Sequence, residues 1–300
     1  MNARMRPADW TMLVALSILW GGAFFFTGIA VLELPPLVVV TGRAGFAAVA
    51  LVVIVRLAGF RWPRNPGIWL GFLGMGALNG LIPYGLMAWG QLHISSGLTS
   101  ILNSTTPLFS VVLTHFFTSD ERMTANRVLG ILLGIAGVAV LIGPSALRGL
   151  GLQGMAELAV LLGAFSYAWA AILGRRLRHL PSLVLAAGQI AGTFVLVLPI
   201  SLWHDDWNAL APSTGTILAV LALSLLSTAL AYILYFRLLA SAGATNVLLV
   251  TLLIPLSALA LGHLFLGEPL SWNTAAAMLL IFAGIGAVDG RLRLPAPVRS

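Results

Sequence analysis

Apolar stretches long enough to span a lipid bilayer follow one another along almost the whole chain. A transmembrane helix needs about 20 predominantly apolar residues. Such stretches lie near residues 10–31, 36–57, 67–90, 96–117, 124–142, 153–174, 182–203, 215–236, 243–265 and 272–290. The first exceeds the apolar core of a signal peptide, about 7–15 residues, and is expected to remain in the protein. Since no connection can hold a soluble domain, the sequence predicts an all-α integral membrane protein of ten transmembrane helices.

The low charge content agrees with this class and excludes several others. Charged residues make up 8% of the 300 residues and the mean hydropathy is +1.01, whereas soluble domains carry about 25% charged residues. The chain has no cysteine, so it cannot form a disulfide or a thiolate metal site. Neither a phosphate-binding glycine loop nor the HExxH zinc motif is present. We therefore expect no cofactor and no enzymatic activity.

The distribution of basic residues predicts the orientation of the chain. Every basic residue is Arg, and no basic run is long enough to follow a nucleic-acid backbone, so nucleic acid is not an expected partner. Basic residues instead mark the cytoplasmic side of membrane proteins. With a cytoplasmic N-terminus, 14 of the 16 Arg residues fall inside, Arg148 falls outside, and Arg43 lies within the second stretch. This asymmetry predicts an even number of helices, cytoplasmic termini and a location in the inner or plasma membrane.

The second half of the sequence repeats the first. A shift of 146 residues places Leu34-Pro35-Pro36 on Leu180-Pro181-Ser182, and after a slip to 148 residues Pro107 meets Pro255. One register through several apolar helices is hard to obtain by chance when prolines take part in it. The repeat predicts two homologous five-helix domains.

The predicted domains are residues 1–148 and 149–300. Because five is an odd number, the second domain enters the membrane in the opposite orientation, which is an inverted-topology repeat. Two similar halves can pack in two ways of similar energy, one open inward and one open outward. This arrangement favours a transporter, although a duplicated scaffold could also serve a membrane-embedded enzyme or a channel.

Several short motifs carry a resemblance to a known family. They are Leu19-Trp20-Gly21-Gly22, a fourth stretch centred on Pro107 that ends in Asp120-Glu121, and a ninth that runs from Pro255 to Gly267-Glu268-Pro269. On these residues the chain resembles the EamA family of the drug/metabolite transporter superfamily over residues 8–290. Within that family it most resembles the YddG-type amino acid exporters.

This resemblance implies a secondary transporter that exports small metabolites, above all amino acids including aromatic ones, by alternating access. A broad-specificity drug or metabolite efflux carrier of the same fold is the alternative. The expected partners are a small-molecule substrate and the lipid bilayer. Family members act as monomers or dimers, and a monomer is the expectation here.

Polar and aromatic residues at mid-depth are the candidates for contact with a substrate. In inverted-repeat transporters the substrate site lies near the midplane, between the halves. The predicted substrate-binding residues are Trp20, Asn79, Tyr84, Asn103, Thr106, Ser166, Trp169, Thr228, Tyr232, Thr251 and Arg43.

Each class of candidate has an alternative structural role. Ser and Thr side chains often hold membrane helices together or bond the carbonyl one turn earlier. Trp and Tyr often form belts at the membrane surface, which fits Trp20 and Trp169 poorly because both lie near the middle of their stretches. A midplane aromatic suits an apolar or aromatic substrate whose polar ends are fixed by hydroxyl and amide groups.

Arg43 is the one basic residue well inside an apolar stretch, and it aligns with Gln189 of the second half. A charge inside the bilayer is costly and often functional. Arg43 either binds a substrate carboxylate, or extends toward the surface to pair with backbone carbonyls or with Glu33.

Pro107 and Pro255 are predicted hinges, because a proline inside a helix removes a hydrogen bond and membrane helices often bend there.

Overall fold

The computed structural model describes residues 5–117, 123–142, 151–247 and 249–288, and every regular element in these ranges is helical. The helices of the first half are α1 (Pro7–Ala30), α2 (Pro36–Leu57), α3 (Pro66–Gly90), α4 (Ser96–Asn103), α5 (Thr106–Phe117) and α6 (Ala125–Ile142). Those of the second half are α7 (Leu152–Gly174), α8 (Ser182–His204), α9 (Thr214–Ala242), α10 (Ala244–Val247), α11 (Val250–Leu266) and α12 (Trp272–Val288). Short 3₁₀ turns follow α7 and α8, at Arg175–Leu177 and Trp207–Ala209.

Seven of the described helices are long and apolar enough to cross a membrane, namely α1, α2, α3, α6, α7, α8 and α9. The helices α11 and α12 are apolar but shorter. The all-helical, membrane-spanning class is therefore confirmed. The number ten and the cytoplasmic termini stay predictions. Asp120-Glu121 and Arg148 lie outside the described residues.

The helix starts follow directly from the sequence. Helices α1, α2 and α3 each begin at a proline, where the missing N–H would have no intrahelical partner in any case. Polar side chains cap the starts of α3 and α4: Asn65 Oδ1 accepts from the Gly67 N–H at 2.8 Å, and Ser95 Oγ accepts from the Leu98 N–H at 3.1 Å. The prolines and polar residues between the apolar stretches thus determine where the helices begin.

Helices α3 and α9 each contain one wide π-helical turn. We call these turns the first bulge (Ala77–Leu81) and the second bulge (Leu225–Leu230). The offset of 148 residues that relates the starts of α3 and α9 also relates the starts of the two bulges. Pro83 explains the first bulge, since a proline ring clashes with the carbonyl four residues earlier. Such bulges often occur at functional sites.

The fourth apolar stretch is not one continuous helix. It is interrupted at Ser104 and Thr105, whose hydroxyls donate to the carbonyls of Ile101 at 2.6 Å and Leu102 at 2.7 Å. Pro107 consequently lies in the first turn of α5, where it displaces no helical hydrogen bond. The mid-helix position expected for Pro107 is wrong.

Pro255, in contrast, lies inside α11, so the two prolines are not placed alike. The hinge role of both stays a prediction.

Small residues let helix α6 of the first half and helix α12 of the second half approach each other closely. A Cβ atom added at Gly130 of α6 would lie 2.5 Å from the Gly284 carbonyl oxygen of α12, and one at Gly284 would lie 2.6 Å from the Gly130 carbonyl oxygen. This reciprocal contact requires glycine on both sides and is typical of tightly packed membrane helices.

Candidate functional site

Side chains from both halves meet at the level of the two bulges. Arg43 of α2 is half-buried, and its Nε donates to Thr228 Oγ1 in the second bulge at 3.1 Å. The Arg43 guanidinium carbon lies 3.6 Å from the centre of the Tyr84 ring. A cation above an aromatic face is attracted by the electrons of the ring. Arg43 is thus fixed between the first half, through Tyr84, and the second half, through Thr228.

A second polar contact between the halves starts from the first bulge and reaches the second half. The Asn79 Nδ2 group in the first bulge donates to Gln189 Oε1 of α8 at 3.2 Å and to the Tyr232 hydroxyl of α9 at 3.2 Å. Gln189 is the counterpart of Arg43 in the repeat. The polar residue at this position in each half therefore bonds the bulge of the opposite half. We call Arg43, Asn79, Gln189 and Thr228 the central polar cluster.

Three tyrosines surround the central polar cluster. Tyr84 and Tyr232 are related by the same offset of 148 residues as the bulges. Tyr84 is buried, and its ring centre lies 6.5 Å from that of Tyr167 in an edge-to-face arrangement. Tyr232 stacks on Phe236 with ring centres 6.2 Å apart. These rings give the site apolar walls with polar edges.

Hydroxyl groups accompany the bulges and satisfy their backbone carbonyls. Ser166 Oγ donates to the Leu78 carbonyl at 2.8 Å, and Thr193 Oγ1 donates to the Gly76 carbonyl at 2.9 Å. A buried carbonyl without a partner would destabilise the fold. The hydroxyl of Ser166 therefore has a structural contact, as the alternative role for Ser and Thr anticipates.

The charge of Arg43 has no acidic partner in the part of the chain that the structure describes, where no carboxylate lies within 4.0 Å of its guanidinium. Glu33, the alternative partner, instead accepts hydrogen bonds from the Ser213 N–H and hydroxyl at 2.6 and 2.8 Å. The alternative Glu33–Arg43 pair is thus not formed. A partly buried cation balanced by a hydroxyl and a ring can still bind an anion.

The two predicted tryptophans pack with other aromatic residues. Trp20 lies against Tyr235 with ring centres 5.5 Å apart, within an apolar cluster of α1, α9 and α11. Trp169 lies against Phe117 with ring centres 4.6 Å apart. Their role in substrate binding stays a prediction.

The remaining candidates lie on the helices of the fourth and ninth stretches. Thr106 Oγ1 donates to the Asn103 carbonyl at 2.8 Å, beside the interruption between α4 and α5. Asn103 Oδ1 is buried without a hydrogen-bond partner among the described residues. Thr251 is half-buried on α11. Asn103 is the most available of the three for a ligand.

Two residues of the site were absent from the predicted set, namely Gln189 and Tyr167. The signal for Gln189 is its alignment with Arg43 in the repeat. Tyr167 carries the same signal as Ser166 and Trp169, namely a polar or aromatic side chain near the middle of the sixth stretch.

The chain matches a known transporter family twice. The model of the EamA-like transporter family matches residues 10–143 and residues 154–288. These two matches cover most of each half.

Curated relatives align over nearly the full chain. The uncharacterized transporter YvbV of Bacillus subtilis (strain 168) is 29% identical over 93% of this chain and 90% of its own. The uncharacterized inner membrane transporter YedA of Escherichia coli (strain K12) is 27% identical, with 95% and 92% covered. The protein named "Probable amino-acid metabolite efflux pump" of Salmonella typhimurium is also 27% identical, with 94% of both chains covered.

A protein of known crystal structure shares the fold, with a TM-score of 0.68 and 18% identity over 95% of this chain and 98% of that chain. The predicted family is confirmed, while identities of this size do not extend to the YddG-type subgroup. The chain belongs to the EamA-like transporter family and is a multi-pass protein of the cell membrane.

Proposed function

We propose that this protein exports small metabolites that carry a carboxylate, in particular amino acids including aromatic ones, by alternating access. The observation that carries the proposal is the half-buried Arg43, held by Thr228 and Tyr84 with no described carboxylate beside it. An arginine in this situation supplies positive charge and hydrogen-bond donors to an anionic group at mid-membrane depth, where water cannot supply them.

The guanidinium group suits a carboxylate in particular. Its planar fork can donate two parallel hydrogen bonds to the two oxygens of one carboxylate. In the present contact only Nε is used, toward Thr228. The remaining donors of Arg43 are therefore sufficient for a bidentate pair.

The surroundings of Arg43 suit the rest of an amino acid. The rings of Tyr84, Tyr167 and Tyr232 offer an apolar, edge-to-face environment for an aromatic side chain. The amide oxygens of Asn79 and Gln189 are acceptors of the kind that an ammonium group requires. A few polar groups within mostly apolar walls are typical of small-molecule sites.

Contacts between the halves link binding to movement. The substrate would touch Arg43 and Tyr84 of the first half together with Gln189 and Tyr232 of the second. A ligand shifts a conformational equilibrium only by as much as it binds the two states differently. A site divided between the two moving parts meets this condition, which favours alternating access.

The relatives are compatible with two ranges of substrate. The printed name of the Salmonella typhimurium relative favours amino-acid metabolites. A broad drug or metabolite efflux carrier is the second candidate, because aromatic walls alone accept many apolar compounds. A channel or a membrane-embedded enzyme is less favoured, since the relatives with printed activities are named transporters.

Counterflow in proteoliposomes tests the proposal. We expect saturable exchange of labelled phenylalanine that is inhibited by phenylpropionate, which keeps the carboxylate, and not by phenylethylamine, which lacks it. The variant Arg43→Gln should lose exchange, while Arg56→Gln, an exposed arginine at the end of the same helix, should retain it.

Other outcomes identify the alternatives. Inhibition by phenylethylamine and by unrelated aromatic cations would favour the broad efflux carrier. Flux that never saturates would indicate a channel, and product formation without flux would indicate an enzyme. If no amino acid competes, the substrate assignment is wrong.

A further inference from the structure

Two carboxylates, one from each half, bind the start of a helix in the opposite half. The first is Glu33, in the connection between α1 and α2. Its Oε2 accepts from the Ser213 N–H at 2.6 Å and its Oε1 accepts from the Ser213 hydroxyl at 2.8 Å. Ser213 is the residue that caps α9. Glu33 therefore ties the α1–α2 connection of the first half to the start of α9.

The second carboxylate is Glu268, which follows α11. Its Oε1 accepts from the Ser96 N–H at 2.7 Å and its Oε2 accepts from the Gly97 N–H at 3.0 Å. These N–H groups belong to the first turn of α4, whose donors have no partner within the helix. Glu268 therefore ties the α11–α12 connection of the second half to the start of α4.

The local sequence presents Glu268 for this contact. Gly267 ends α11 with φ +66°, a left-handed conformation that glycine adopts without strain. The Glu268 N–H then returns to the Gly262 carbonyl at 3.1 Å, and His263 Nδ1 lies 2.9 Å from the Glu268 carbonyl oxygen. The turn holds the backbone of Glu268 independently of its side chain, so the carboxylate can release α4 without unfolding the turn.

Both contacts lie on one side of the membrane in the predicted orientation. Glu33 follows α1, Ser213 precedes α9, Glu268 follows α11, and Ser96 begins α4. With a cytoplasmic N-terminus each of these positions is at the outer face. We call the Glu33–Ser213 contact and the Glu268–Ser96 contact the outer latches.

The Glu33–Ser213 latch can break at moderate cost, whereas the Glu268 latch binds the buried Ser96 and is harder to hydrate. A carboxylate on helix N–H groups is a charge-assisted contact that is also favoured by the helix dipole. Glu33 and Ser213 are exposed, so water can replace each partner when the contact opens. Asp9 is different: it is buried, and it accepts from the N–H of Arg6, which caps its own helix.

Helix α9 leads from its latch to the central polar cluster, and helix α4 leads from its latch to a buried polar group. Helix α9 carries Thr228, which bonds Arg43, and helix α4 carries Asn103 with its unpartnered Oδ1. A displacement of the start of α9 would therefore shift Thr228 and its bond to Arg43.

The inner face lacks a copy of the first latch. The shift of 146 residues places Glu33 on His179, which is exposed and not acidic. Since the carboxylate is present on one face only, the Glu33 latch distinguishes the outer face from the inner one. The counterpart of Glu268 falls in Asp120-Glu121, outside the described residues.

We propose that the two outer latches form the outer gate of this protein, closed in the present structure, and that Glu33 and Glu268 control access to Arg43 from outside. This inference rests on the transport function proposed above, because a gate has a role only in a transporter. Its test uses no substrate, so it can fail while transport is established, and it can succeed if transport assays fail.

Thiol labelling tests the gate, because the native chain has no cysteine. The reporter is Ser227→Cys, a small change at a fully buried residue of the second bulge. Its Oγ lies 3.7 Å from the position of a Cβ on Gly22 of α1, so the reporter is at the contact between the halves. An impermeant maleimide is added to right-side-out membrane vesicles.

The double variant Glu33→Gln with Glu268→Gln should label about tenfold faster than the reporter protein alone, because the labelling rate follows the outward-open population. Asp206→Asn is the matched control, since Asp206 is an exposed outer-face carboxylate that bonds Asn208 within its own loop. Its labelling rate should not change.

Three results would overturn the gate. They are an unchanged labelling rate in the double variant, fast labelling of the reporter protein with both latches intact, and a rate increase found only in inside-out vesicles. Maleimide labelling after denaturation shows that the reporter thiol is present in every sample.

A crosslink tests the same gate without weakening the fold. The variants Glu33→Cys and Ser213→Cys are combined with the Ser227→Cys reporter. A short reducible bis-methanethiosulfonate then joins the two latch thiols while the reporter thiol is protected. After deprotection of the reporter, the crosslink should stop its external labelling. Reduction should restore the labelling rate. Labelling that continues in fully crosslinked protein would contradict the proposal even if the Gln variants do not fold.

Discussion

Arg43 Nε donates to Thr228 Oγ1 at 3.1 Å, and this bond joins the second helix of one half to the bulge of the other. Thr228 Oγ1 itself donates to the Leu223 carbonyl at 2.8 Å, so one hydroxyl serves both the bulge and the arginine. The fold and the candidate site therefore depend on the same side chain.

Replacing Thr228 by Val removes the hydroxyl that serves the bulge and Arg43, and it leaves the volume of the side chain nearly unchanged. The hydroxyl is lost at nearly constant shape, and the Leu223 carbonyl and Arg43 Nε each lose a partner. An unsatisfied buried polar group costs about 1–3 kcal/mol. We expect a lower thermal midpoint in detergent and reduced phenylalanine counterflow.

Thr11→Val is the control for Thr228→Val, because the exposed Thr11 hydroxyl bonds only the Pro7 carbonyl of its own helix. Equal losses of stability in the two variants would show that the Thr228 contacts are not special.

The first bulge should not tolerate a side chain at Gly80. A Cβ atom there would lie 2.7 Å from Thr193 Cγ2 of α8 and would also overlap the Thr193 hydroxyl. Overpacking of this kind costs about 1–3 kcal/mol. Gly80→Ala should lower the thermal midpoint and displace the Thr193 bond to the Gly76 carbonyl.

Gly85→Ala, on the same helix, meets nothing within 4 Å and should raise stability by about 0.5–1 kcal/mol through lower backbone entropy. A destabilised Gly85→Ala protein would contradict this explanation, because alanine would then destabilise α3 even at a position without close contacts.

The Glu33 latch should resist mild acid. Hydrogen bonds from the Ser213 N–H, then from the Ser213 and Thr216 hydroxyls, lower the pKa of the Glu33 carboxyl below its usual range. The deprotonated form makes the contact, so the latch is complete above the ordinary carboxyl pKa and is lost only as the pH falls through the lowered value. The rate of external labelling of the Ser227→Cys reporter, divided by the rate for a free thiol at the same pH, should therefore rise only below the ordinary carboxyl range.

The comparison with Glu33→Gln isolates this effect. Glu268 is the other latch carboxylate and His263 lies beside its backbone, so the difference between the two pH profiles is the quantity to measure. Identical profiles with and without Glu33 would contradict the role of its titration.

The two prolines should differ in their effect on turnover. Pro255 lies inside α11, so Pro255→Ala restores a helical hydrogen bond and stiffens the helix. Pro107 lies in the first turn of α5, where Pro107→Ala restores nothing. We expect Pro255→Ala to reduce the maximal exchange rate and Pro107→Ala to leave it nearly unchanged. Equal effects of the two substitutions would instead favour two equivalent hinges, one at each proline, as the sequence repeat suggests.

The course of the helices could be predicted from the sequence because lipid leaves few choices. Apolar length predicts a helix, and the prolines at positions 7, 36 and 66 each begin one in the structure. The interruption at Ser104 and Thr105 could not be predicted, because these residues satisfy their own backbone and look like ordinary helix residues in the sequence.

The candidate site was predicted in part. Arg43, Asn79, Tyr84, Thr228 and Tyr232 lie close together, because mid-depth polar residues of different helices converge between the halves. Their contact with a substrate stays a prediction. The partners within that group could not be derived, since the bulges rotate the following residues relative to an ideal helix. Bulges have no clear sequence signature apart from Pro83 in the first one.

The unequal pair at Arg43 and Gln189 has a consequence for cargo. Two identical halves would offer a bound anion two poses of equal energy, related by the two-fold axis between the halves. Here one pole of the site is cationic and the other is a neutral amide, so this degeneracy is removed and a carboxylate has a single preferred heading. A molecule carried between the halves would keep that heading from loading to release, so that it always leaves the protein the same way round.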